Sequence, residues 1–558
     1  MSAADLDRLF GDPWDADNPH GYAAILRADE QREMFADGEK LLNAYGLNAE
    51  IVPAQYGGRF TRADELAETL RTVWRRDPSL GLGYGFSSLL ASINIWTAGS
   101  DQQRRTAADL LLGSGRIAAA FHELEHGNDF ANADCAARPT PHGWTLTGRK
   151  EVVTNLRRAE AMVLFARTAD GAGSRAHSLF WLERGALPAD RVRDLPRLPG
   201  SGLRGVQLGG ADFDDCPIGA ESLIGRPGAA IETALRSFQV TRVLLPAVTI
   251  GPLDTALRAA TGFALERRLY GATAADLPFV RTTLARAYAD LLAMDCLCAV
   301  GLRALHLAPE TMGVYAPAIK YLTSKMLLDA FEALRAVLGA QAYIRQGPYA
   351  IFEKLSRDIA PATFAHVSRA ACLVMLLPQL PRLARRSWAG DVPGSAELFS
   401  LGAHLPALRL DALTAGSPRA DPILDVLATF AGHEDPGGPI ASYAARLLDE
   451  LARLRKDCLA LTPAQLTIDA PPEAFALAER YTVLLAAACA LAVWQHAAEL
   501  RPAEALALIL DRLTARLGGP PVRPAAERAA AESALFDDLV ARCRQPRLLD
   551  LSARPIPG

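Results

Sequence analysis

The chain has 558 residues, 50% of them hydrophobic, and its 59 basic and 63 acidic residues leave a formal net charge of −4. Because domains usually contain about 100–200 residues, this length predicts roughly three or four domains with ample apolar side chains for their cores. The even balance of charge argues against nucleic acid as a partner, since no basic field is present.

The cysteines and the N-terminus both point to the cytoplasm. The eight cysteines are scattered and form no C-x-x-C pair, which favours reduced thiols over a disulfide framework or a zinc ribbon. The acidic start, "MSAADLDRLFGDPWDADN", lacks the apolar core of a signal peptide. We therefore expect a cytoplasmic protein that has no nucleic-acid partner and makes no membrane contact.

Residues 1–115 are predicted to form an N-terminal helical domain. The segments "ADELAETLRTVWRR" and "DQQRRTAADLLL" place apolar residues three and four positions apart with charges between them, which is typical of amphipathic helices. Asp101 is the predicted cap of the second helix, and the glycines in Gly113–Arg116 mark its end.

The pattern changes at about residue 116 and changes back at about 228. Short alternating runs such as "GWTLTGRKEVVTN" and "AMVLFARTA", separated by Gly, Pro and Asp, predict a central β domain over 116–228. Long amphipathic stretches then predict a helical bundle over 229–390, one of them bounded by Pro278 and Pro309. An Ala- and Leu-rich helical extension follows over 391–558. This segregation of helices and strands indicates an α+β fold.

The longest apolar run of the extension is Tyr481–Trp494. It is shorter than the ~20 residues that a membrane-spanning helix requires, so we interpret it as a buried helix. A helix that contacts a membrane surface is the less favoured alternative.

Several motifs occur in the order found in one flavoprotein family. They are "IVPAQYGG", "RRDPSLG", "AGSDQQRR…GSGRIAAAF", "GWTLTGRKEVVTN", "GLRGVQLGGADFDDCPIGAESLIG", "ALERRLYG" and "VLGAQAY…EKLSRD". Over roughly residues 20–385 the chain resembles the acyl-CoA dehydrogenase superfamily. The resemblance implies an N-terminal helical domain, a small β-barrel-like domain and a four-helix bundle, here followed by an extra helical domain.

The resemblance also implies a function. FAD would lie between the β domain and the bundle, and an acyl-CoA or acyl-carrier-protein thioester would lie against the flavin. A base would remove the α-proton while a hydride leaves the β-carbon. Family members with a helical extension tend to be dimers, so we expect a homodimer. Unusual residues at the site suggest an uncommon substrate in a biosynthetic pathway.

Individual residues fall on family positions. Thr154 matches the threonine that faces flavin N5, and Arg267 matches the arginine that meets the FAD pyrophosphate. Asn128 matches a serine near cofactor and substrate, and Thr241 and Arg242 fall where some relatives place Glu-Arg beside the substrate. The expected cofactor-binding residues are Phe121, His122, Glu123, Gly127, Asn128, Val152, Val153, Thr154, Arg267, Tyr270, Gly339, Ala340 and Ser368.

The segment "FHELEHGND", Phe121–Asp129, supports a rival hypothesis. In the family it is a loop around the flavin, and we call it the flavin loop. The segment also matches the zinc-binding motif H-E-x-x-H. If this segment were helical, His122 and His126 could bind zinc and Glu123 could act as the base. Gly127 and the turn residues after it argue against that helix, so we expect no metal.

His366 occupies the position of the family's catalytic glutamate, counted from Arg357-Asp358. The alternative glutamate position holds Thr241, so neither position carries a carboxylate. Imidazole can accept a proton near pH 7, which makes His366 the candidate base. Two alternatives stay open: a role in a flavin-dependent monooxygenase, and a structural residue in a catalytically altered relative.

Overall fold

The computed structural model describes residues 2–171, 173–388, 396–416, 418–433, 439–496 and 503–558. The chain divides into two compact units. Unit 1 comprises Met1–Thr241 and Ala407–Ala415, and unit 2 comprises Arg242–Pro406 and Gly416–Gly558. The predicted four-domain division stays a prediction, and its boundary at 390/391 lies outside the described residues.

Unit 1 begins with helices whose apolar faces are buried. In the predicted "ADELAETLRTVWRR" helix, Leu66, Leu70, Val73 and Trp74 are buried at three- and four-residue spacing. The helices are α1 Ala3–Phe10, α2 Tyr22–Gln31, α3 Ala36–Tyr45, α4 Ala63–Arg76, α5 Pro78–Gly81, α6 Ser87–Ala98 and α7 Asp101–Leu112.

The predicted cap of α7 was wrong by one residue. Ser100, not Asp101, is the N-cap, and its side chain accepts a hydrogen bond from the backbone N–H of Gln103. The Gln103 side chain bonds back to the backbone N–H of Ser100. This reciprocal capping box satisfies more of the free amides at the helix start than Asp101 could as a first-turn residue.

Among the described residues, eight strands of unit 1 form one sheet. The order along it is β6-β7-β3-β2-β4-β5-β8, and β1 pairs in parallel with β4. The strands are β1 Ile117–Ala120, β2 Ala136–Thr140, β3 Gly143–Thr154, β4 Ala161–Arg167, β5 His177–Glu183, β6 Val192–Leu195, β7 Leu208–Gly219 and β8 Leu223–Ile224. The apolar core of the sheet includes Leu146, Val153, Leu164, Phe180 and Phe213.

A long helix, α8 Ala230–Glu266, runs from unit 1 into unit 2. The described elements of the bundle in unit 2 are the hairpin β9 Arg268–Leu269 and β10 Ala272–Thr273, then α9 Pro278–Leu307, α10 Met312–Leu338, α11 Ala350–Asp358, α12 Arg369–Leu376 and α13 Leu380–Arg386. Pro278 occupies the first turn of α9, where its missing N–H costs nothing, and α9 ends before Pro309.

The extension belongs to unit 2 and packs on the bundle. Its described helices are α14 Val426–His433, α15 Pro439–Leu459, α16 Pro472–His496, α17 Ala503–Leu517 and α18 Ala525–Arg544. Arg512 of α17 bonds Asp290 of α9 at 3.1 Å, and Asp538 of α18 accepts from Tyr288 of α9 at 2.9 Å. These polar contacts fix the register of the extension helices on α9.

Within the described part of the chain, two helices are long and apolar enough to cross a membrane, judged by length and composition. They are α8 and α16, with mean hydropathy of 1.2 and 1.6 over their most apolar windows. Within the protein, 94% and 78% of those windows are buried. A strongly bent pair, Pro278–Leu307 and Pro309–Tyr343, would qualify if it were one span. Tyr481–Trp494, predicted to be a buried helix, lies in α16 and is buried throughout.

Candidate functional site

A buried ion pair anchors the flavin loop to the sheet of unit 1. Lys150 of β3 donates to Glu123 Oε1 at 2.6 Å and to the carbonyl oxygen of Phe121 at 3.2 Å. The Lys150 and Glu123 side chains are 0% and 7% exposed. Glu123 also accepts the backbone N–H groups of Asp134 and Cys135 at 2.8 and 3.1 Å. Its carboxylate is therefore occupied in holding the loop.

The helix that the zinc hypothesis requires is not formed. Residues 124–128 form turns, so His122 and His126 do not lie on one face of a helix. His126 Nε2 lies 3.0 Å from Asp134 Oδ2, and these two residues with Glu123 form a cluster that His122 does not join. Hydrogen bonding to Asp134 raises the pKa of His126. The cluster is a network of paired side chains around an anchored glutamate.

His122 is held neutral. Burial, followed by the nearby positive charge of Lys150, lowers the pKa of His122 to about 4. Its ring meets Phe130 edge-on with centroids 5.2 Å apart. At neutral pH it can exchange hydrogen bonds with a ligand without carrying charge. Asn128 and Gly127 complete the turn beside it, and Gly127 has a φ of 54° that favours glycine.

A β-bulge shapes the end of β3. Lys150 pairs with Ala211 but Val153 pairs with Gly209, so one extra residue is inserted in β3 opposite Gly210. A Cβ on Gly210 would lie 2.1 Å from the carbonyl oxygen of Lys150, so glycine is required there. The bulge sets the direction in which the last residues of β3 present their side chains.

Those last residues carry unsatisfied polar groups. Val152 is half-buried and Val153 is fully buried in the sheet core. The hydroxyl of the half-buried Thr154 makes no hydrogen bond within the described part of the chain. Asn155, in the left-handed region at φ 60°, donates to Ser87 Oγ at 3.2 Å, while its buried Oδ1 accepts no hydrogen bond from any residue that the structure describes. The strand therefore ends in polar atoms that have no hydrogen-bond partner among the described residues, next to the half-buried Val152.

Phe121 belongs to the core. It is 3% exposed, and its ring lies 5.6 Å from that of Phe165 and 5.3 Å from that of Phe238. Any contact of Phe121 or Val153 with a cofactor would therefore be made by the backbone.

In unit 2, two exposed turns carry the residues predicted to bind pyrophosphate. Arg267 follows the end of α8 and is exposed, and Tyr270, at φ 54°, is 94% exposed. Gly339 ends α10 at φ 56° with open space where a Cβ would be, and Ala340 beside it is exposed. These turns leave their backbone and the Arg267 guanidinium accessible to a ligand or a partner chain.

His366 lies in the short segment between α11 and α12 in a strained conformation. Its φ is 68°, a region that non-glycine residues rarely occupy, and its side chain is 9% exposed. Strain of this kind costs on the order of 1–3 kcal/mol and is concentrated at functional sites. Ser368 caps α12, its Oγ accepting the backbone N–H of Ala371 at 3.1 Å. The Ser368 side chain is thus used for structure.

Sequence reasoning missed a buried cluster of polar side chains in unit 2. Arg242 of α8, Lys320 of α10 and Cys372 of α12 influence one another electrostatically and are 7%, 1% and 0% exposed. The only sequence signal was the isolated lysine in "APAIKYL". Thr241 precedes this cluster, and its hydroxyl donates to the carbonyl oxygen of Phe238 at 3.3 Å, as is common inside helices.

The predicted site residues therefore form two groups. The flavin loop and the end of β3 lie together in unit 1, joined by the Glu123–Lys150 pair. Unit 2 contains the two exposed turns, the His366 segment and the Arg242 cluster.

Comparisons with known proteins agree on one family. The family described as "Acyl-CoA dehydrogenase, C-terminal domain" matches residues 230–366. The mitochondrial isovaleryl-CoA dehydrogenase of Oryza sativa subsp. japonica is 26% identical over 274 residues, which cover 49% of this chain and 66% of that protein. The chain thus spans somewhat less than two thirds of the first curated relatives that it matches.

Solved structures show the same fold. An acyl-CoA dehydrogenase complexed with FAD from Bacillus anthracis has a TM-score of 0.64 at 16% identity, with 96% of this chain and 94% of that one covered. The prolyl acyl carrier protein oxidase AnaB has a TM-score of 0.60 at 16% identity, with 67% and 96% covered. The first of these similarities includes the extension. The chain thus has the fold of these solved structures, and residues 230–366 are similar to the acyl-CoA dehydrogenase C-terminal domain.

Proposed function

We propose that the protein is an FAD-dependent oxidoreductase that dehydrogenates the CH–CH group of an acyl thioester. The observation that carries the proposal is the end of β3, where the Thr154 hydroxyl and the buried Oδ1 of Asn155 have no hydrogen-bond partner among the described residues and lie next to the half-buried Val152 along the strand. Flavin is a flat ring with hydrogen-bonding edges, and such a surface suits it. The similarity of residues 230–366 to the acyl-CoA dehydrogenase C-terminal domain supports the same assignment.

The residues present fit FAD. Thr154 and the neutral His122 would meet the ring, and Arg267, with no ion pair among the described residues, would meet a phosphate. The exposed backbone at Gly339 allows close approach. When bound, FAD supplies the acceptor for the hydride that leaves the β-carbon.

His366 is the proposed base. It would take the α-proton at an imidazole nitrogen, the one side-chain group that ordinarily accepts a proton near neutral pH. The left-handed backbone at His366 supports a functional role, since a residue free to relax would leave that region. Its near-complete burial would keep bulk water from the proton that it holds.

A flavin-dependent monooxygenase is the second candidate. It is favoured by one observation: Thr241 and His366 replace carboxylates at both positions where a dehydrogenase of this family would have its base. The two functions differ in mass balance. Dehydrogenation removes a pair of hydrogen atoms from the thioester, whereas oxygenation adds an oxygen atom and needs an external reductant.

Mass spectrometry of products separates the two functions. The purified, flavin-loaded protein is incubated with a panel of acyl thioesters and an electron acceptor, and in parallel with oxygen and a flavin reductant. We expect enoyl thioester in the first mixture. Oxygenated product confined to the second mixture would favour the monooxygenase, and no product in either would contradict both functions.

We also propose a homodimer and a thioester of either coenzyme A or a carrier protein, in a biosynthetic pathway of the cytoplasm. Tyr270, Phe279 and Tyr343 in unit 2 are 94%, 66% and 86% exposed, which is unusual for large apolar side chains without a partner. Light scattering of the purified protein tests the dimer. A monomer at micromolar concentration would contradict it.

A further inference from the structure

A cleft lined mainly by apolar side chains lies in unit 2, on the helical extension. Its volume is about 450 Å³. Small-molecule sites usually have volumes of about 300–1,000 Å³ and a mostly apolar lining with a few polar groups. The described residues that line the cleft include none of the predicted site residues. The cleft is therefore a second place where a small ligand fits.

One face of α15 forms a wall of the cleft. The residues that it contributes recur at the three- and four-residue spacing of a single helix face, and they are Leu448, Leu451, Ala452, Arg455, Lys456 and Leu459. Because an α-helix rises about 1.5 Å per residue, this face is about 16 Å long. The wall is long enough for an aliphatic chain to lie along it.

Trp388 belongs to the floor of the cleft and is held firmly. Its Nε1 donates to Asp421 at 3.0 Å, and its ring stacks on Tyr481 with centroids 5.8 Å apart. Its backbone has a φ of 63°, a region that non-glycine residues rarely occupy and that recurs at ligand clamps. Leu424 and Leu451, which also line the cleft, are buried. The floor is thus apolar and preorganised.

Two positive charges border the apolar part of the cleft. Lys456 is exposed, and its ammonium has no partner among the described residues. Arg455 donates from Nε to the carbonyl oxygen of Ala384 at 2.9 Å, and its terminal nitrogens have no partner in the same part of the chain. Asp425 is the one carboxylate among the described lining residues, and it accepts hydrogen bonds from Ser387 Oγ at 3.1 and 3.2 Å.

Two acidic residues of α15 are engaged away from the cleft. Glu450 forms an ion pair with Arg480 at 2.7 Å, and Asp457 pairs with the same arginine at 2.9 Å. Neither carboxylate lines the cleft. The opening therefore presents two cations beside an apolar floor, which complements a ligand with an aliphatic chain and an anionic head.

We propose that this cleft binds the anion of a free fatty acid, with the chain along α15 and the carboxylate at Arg455 and Lys456. A carboxylate accepts hydrogen bonds from both of these side chains. The chain removes the apolar surface of Trp388 and Leu451 from water. A concave floor of this size suits one aliphatic chain better than a flat lipid surface. The site is independent of thioester oxidation.

Calorimetric titration of the full-length, flavin-loaded protein tests the charge of the ligand. Decanoate is compared with decyltrimethylammonium, which has the same chain length and the opposite charge, both below their micelle concentrations. We expect decanoate to bind about tenfold or more tightly. Lys456→Gln should weaken decanoate binding about two- to fivefold. Arg453→Gln, which removes a positive charge of α15 outside the cleft, should leave decanoate binding unchanged.

Filling the cleft tests the position of the ligand. Ala452→Phe adds a ring at an exposed position of the cleft wall and should weaken decanoate binding about tenfold or more. Ala445→Phe adds the same ring at an exposed position of α15 outside the lining and should change the affinity about twofold or less. Thermal unfolding of both variants should match wild type, because both positions are exposed.

The titrations contain no thioester, so their result does not depend on the proposed function. Absence of decanoate binding overturns the fatty-acid site, as does equal or tighter binding of decyltrimethylammonium. Equal effects of the two phenylalanine variants place the ligand elsewhere and also overturn it. Sedimentation with phosphatidylglycerol vesicles, or binding of an acidic peptide, without binding of free decanoate would assign the surface to a membrane or a protein and overturn the proposal.

Discussion

At the scale of single residues, the Glu123–Lys150 pair decides the position of the flavin loop. Both side chains are buried, and Glu123 also receives two backbone amides. Lys150→Met leaves the carboxylate buried without its cation, so we expect a loss of about 3–5 kcal/mol in the free energy of unfolding. Denaturant unfolding measures this loss, and flavin affinity should fall with it because the loop is released.

The neighbouring Arg149 is the matched control. It forms an ion pair with Asp212 at 3.1 Å, but its side chain is 56% exposed. Arg149→Met should therefore cost about 0–1 kcal/mol. If Arg149→Met and Lys150→Met lowered the free energy of unfolding equally, burial of the Glu123–Lys150 pair would not explain its contribution to stability.

Lys320 predicts a pH dependence of stability. Burial, followed by the positive charge of Arg242 of α8, lowers its pKa from 10.5 to about 8 against the opposing effect of Cys372 of α12, so the unfolded chain binds more protons between these values. Wild type should therefore gain stability relative to Lys320→Met as pH rises from about 8 to about 10, by on the order of 3 kcal/mol. Urea unfolding across this range checks the slope, and parallel curves for the two proteins would contradict the depressed pKa.

At the scale of elements, the bulge in β3 depends on Gly210. A Cβ there would lie 2.1 Å from the Lys150 carbonyl oxygen, and backbone cannot yield as a flexible side chain can. Gly210→Ala should lower the free energy of unfolding by about 1–3 kcal/mol. It should also weaken flavin binding, because the bulge directs the end of the strand.

Gly209→Ala is the control for this element. Its added Cβ would meet nothing closer than 3.7 Å, although Gly209 pairs with Val153 in the same ladder. Flavin fluorescence titrations of the two variants provide the measurement. If Gly209→Ala weakens binding as much as Gly210→Ala, the strand end is not what holds the flavin.

Elements could be predicted from the sequence where local chemistry determines them. The proline in the first turn of α9, the strand-type sequence of β3 and the apolar run of α16 are local signals, and the structure contains each of these three elements. The cap of α7 was missed because Asp101 and Ser100 are both good caps and only geometry selects one. The bulge was not predicted either, because it depends on the pairing of β3 with β7.

The candidate site was predicted less completely than the fold. Family motifs proposed Thr154, His122 and His366, whose roles stay predictions, but gave no sign of the engaged Glu123 carboxylate or the core position of Phe121. Lys320 and Cys372 lie far apart along the chain and meet Arg242 only through helix packing. Such long-range clusters leave no spacing pattern in a single sequence.

At the scale of the whole chain, unit 2 depends on a buried carboxylate. Asp421 accepts hydrogen bonds from Tyr315 of α10 at 2.7 Å, Tyr481 of α16 at 2.9 Å and Trp388 at 3.0 Å. It thereby links the bundle to the extension. Asp421→Asn places an N–H group against these donors, and we expect a loss of about 1–3 kcal/mol.

Exposed Asp469 in the same extension is the control for Asp421. Asp469→Asn should change the free energy of unfolding by about 0.5 kcal/mol or less. Calorimetric unfolding of both variants is the measurement. An unperturbed Asp421→Asn protein would show that the extension is held by apolar packing alone.

The central claim is that this chain oxidises an acyl thioester with FAD and uses His366 as the base. It is tested most directly by the anaerobic visible spectrum of the flavin-loaded protein during titration with acyl thioesters. We predict that the oxidised flavin band of wild type bleaches with at least one thioester, and that His366→Ala keeps its flavin but does not bleach. Wild-type flavin that stays oxidised with every thioester, or a His366→Ala protein that bleaches as fast as wild type, would contradict the account.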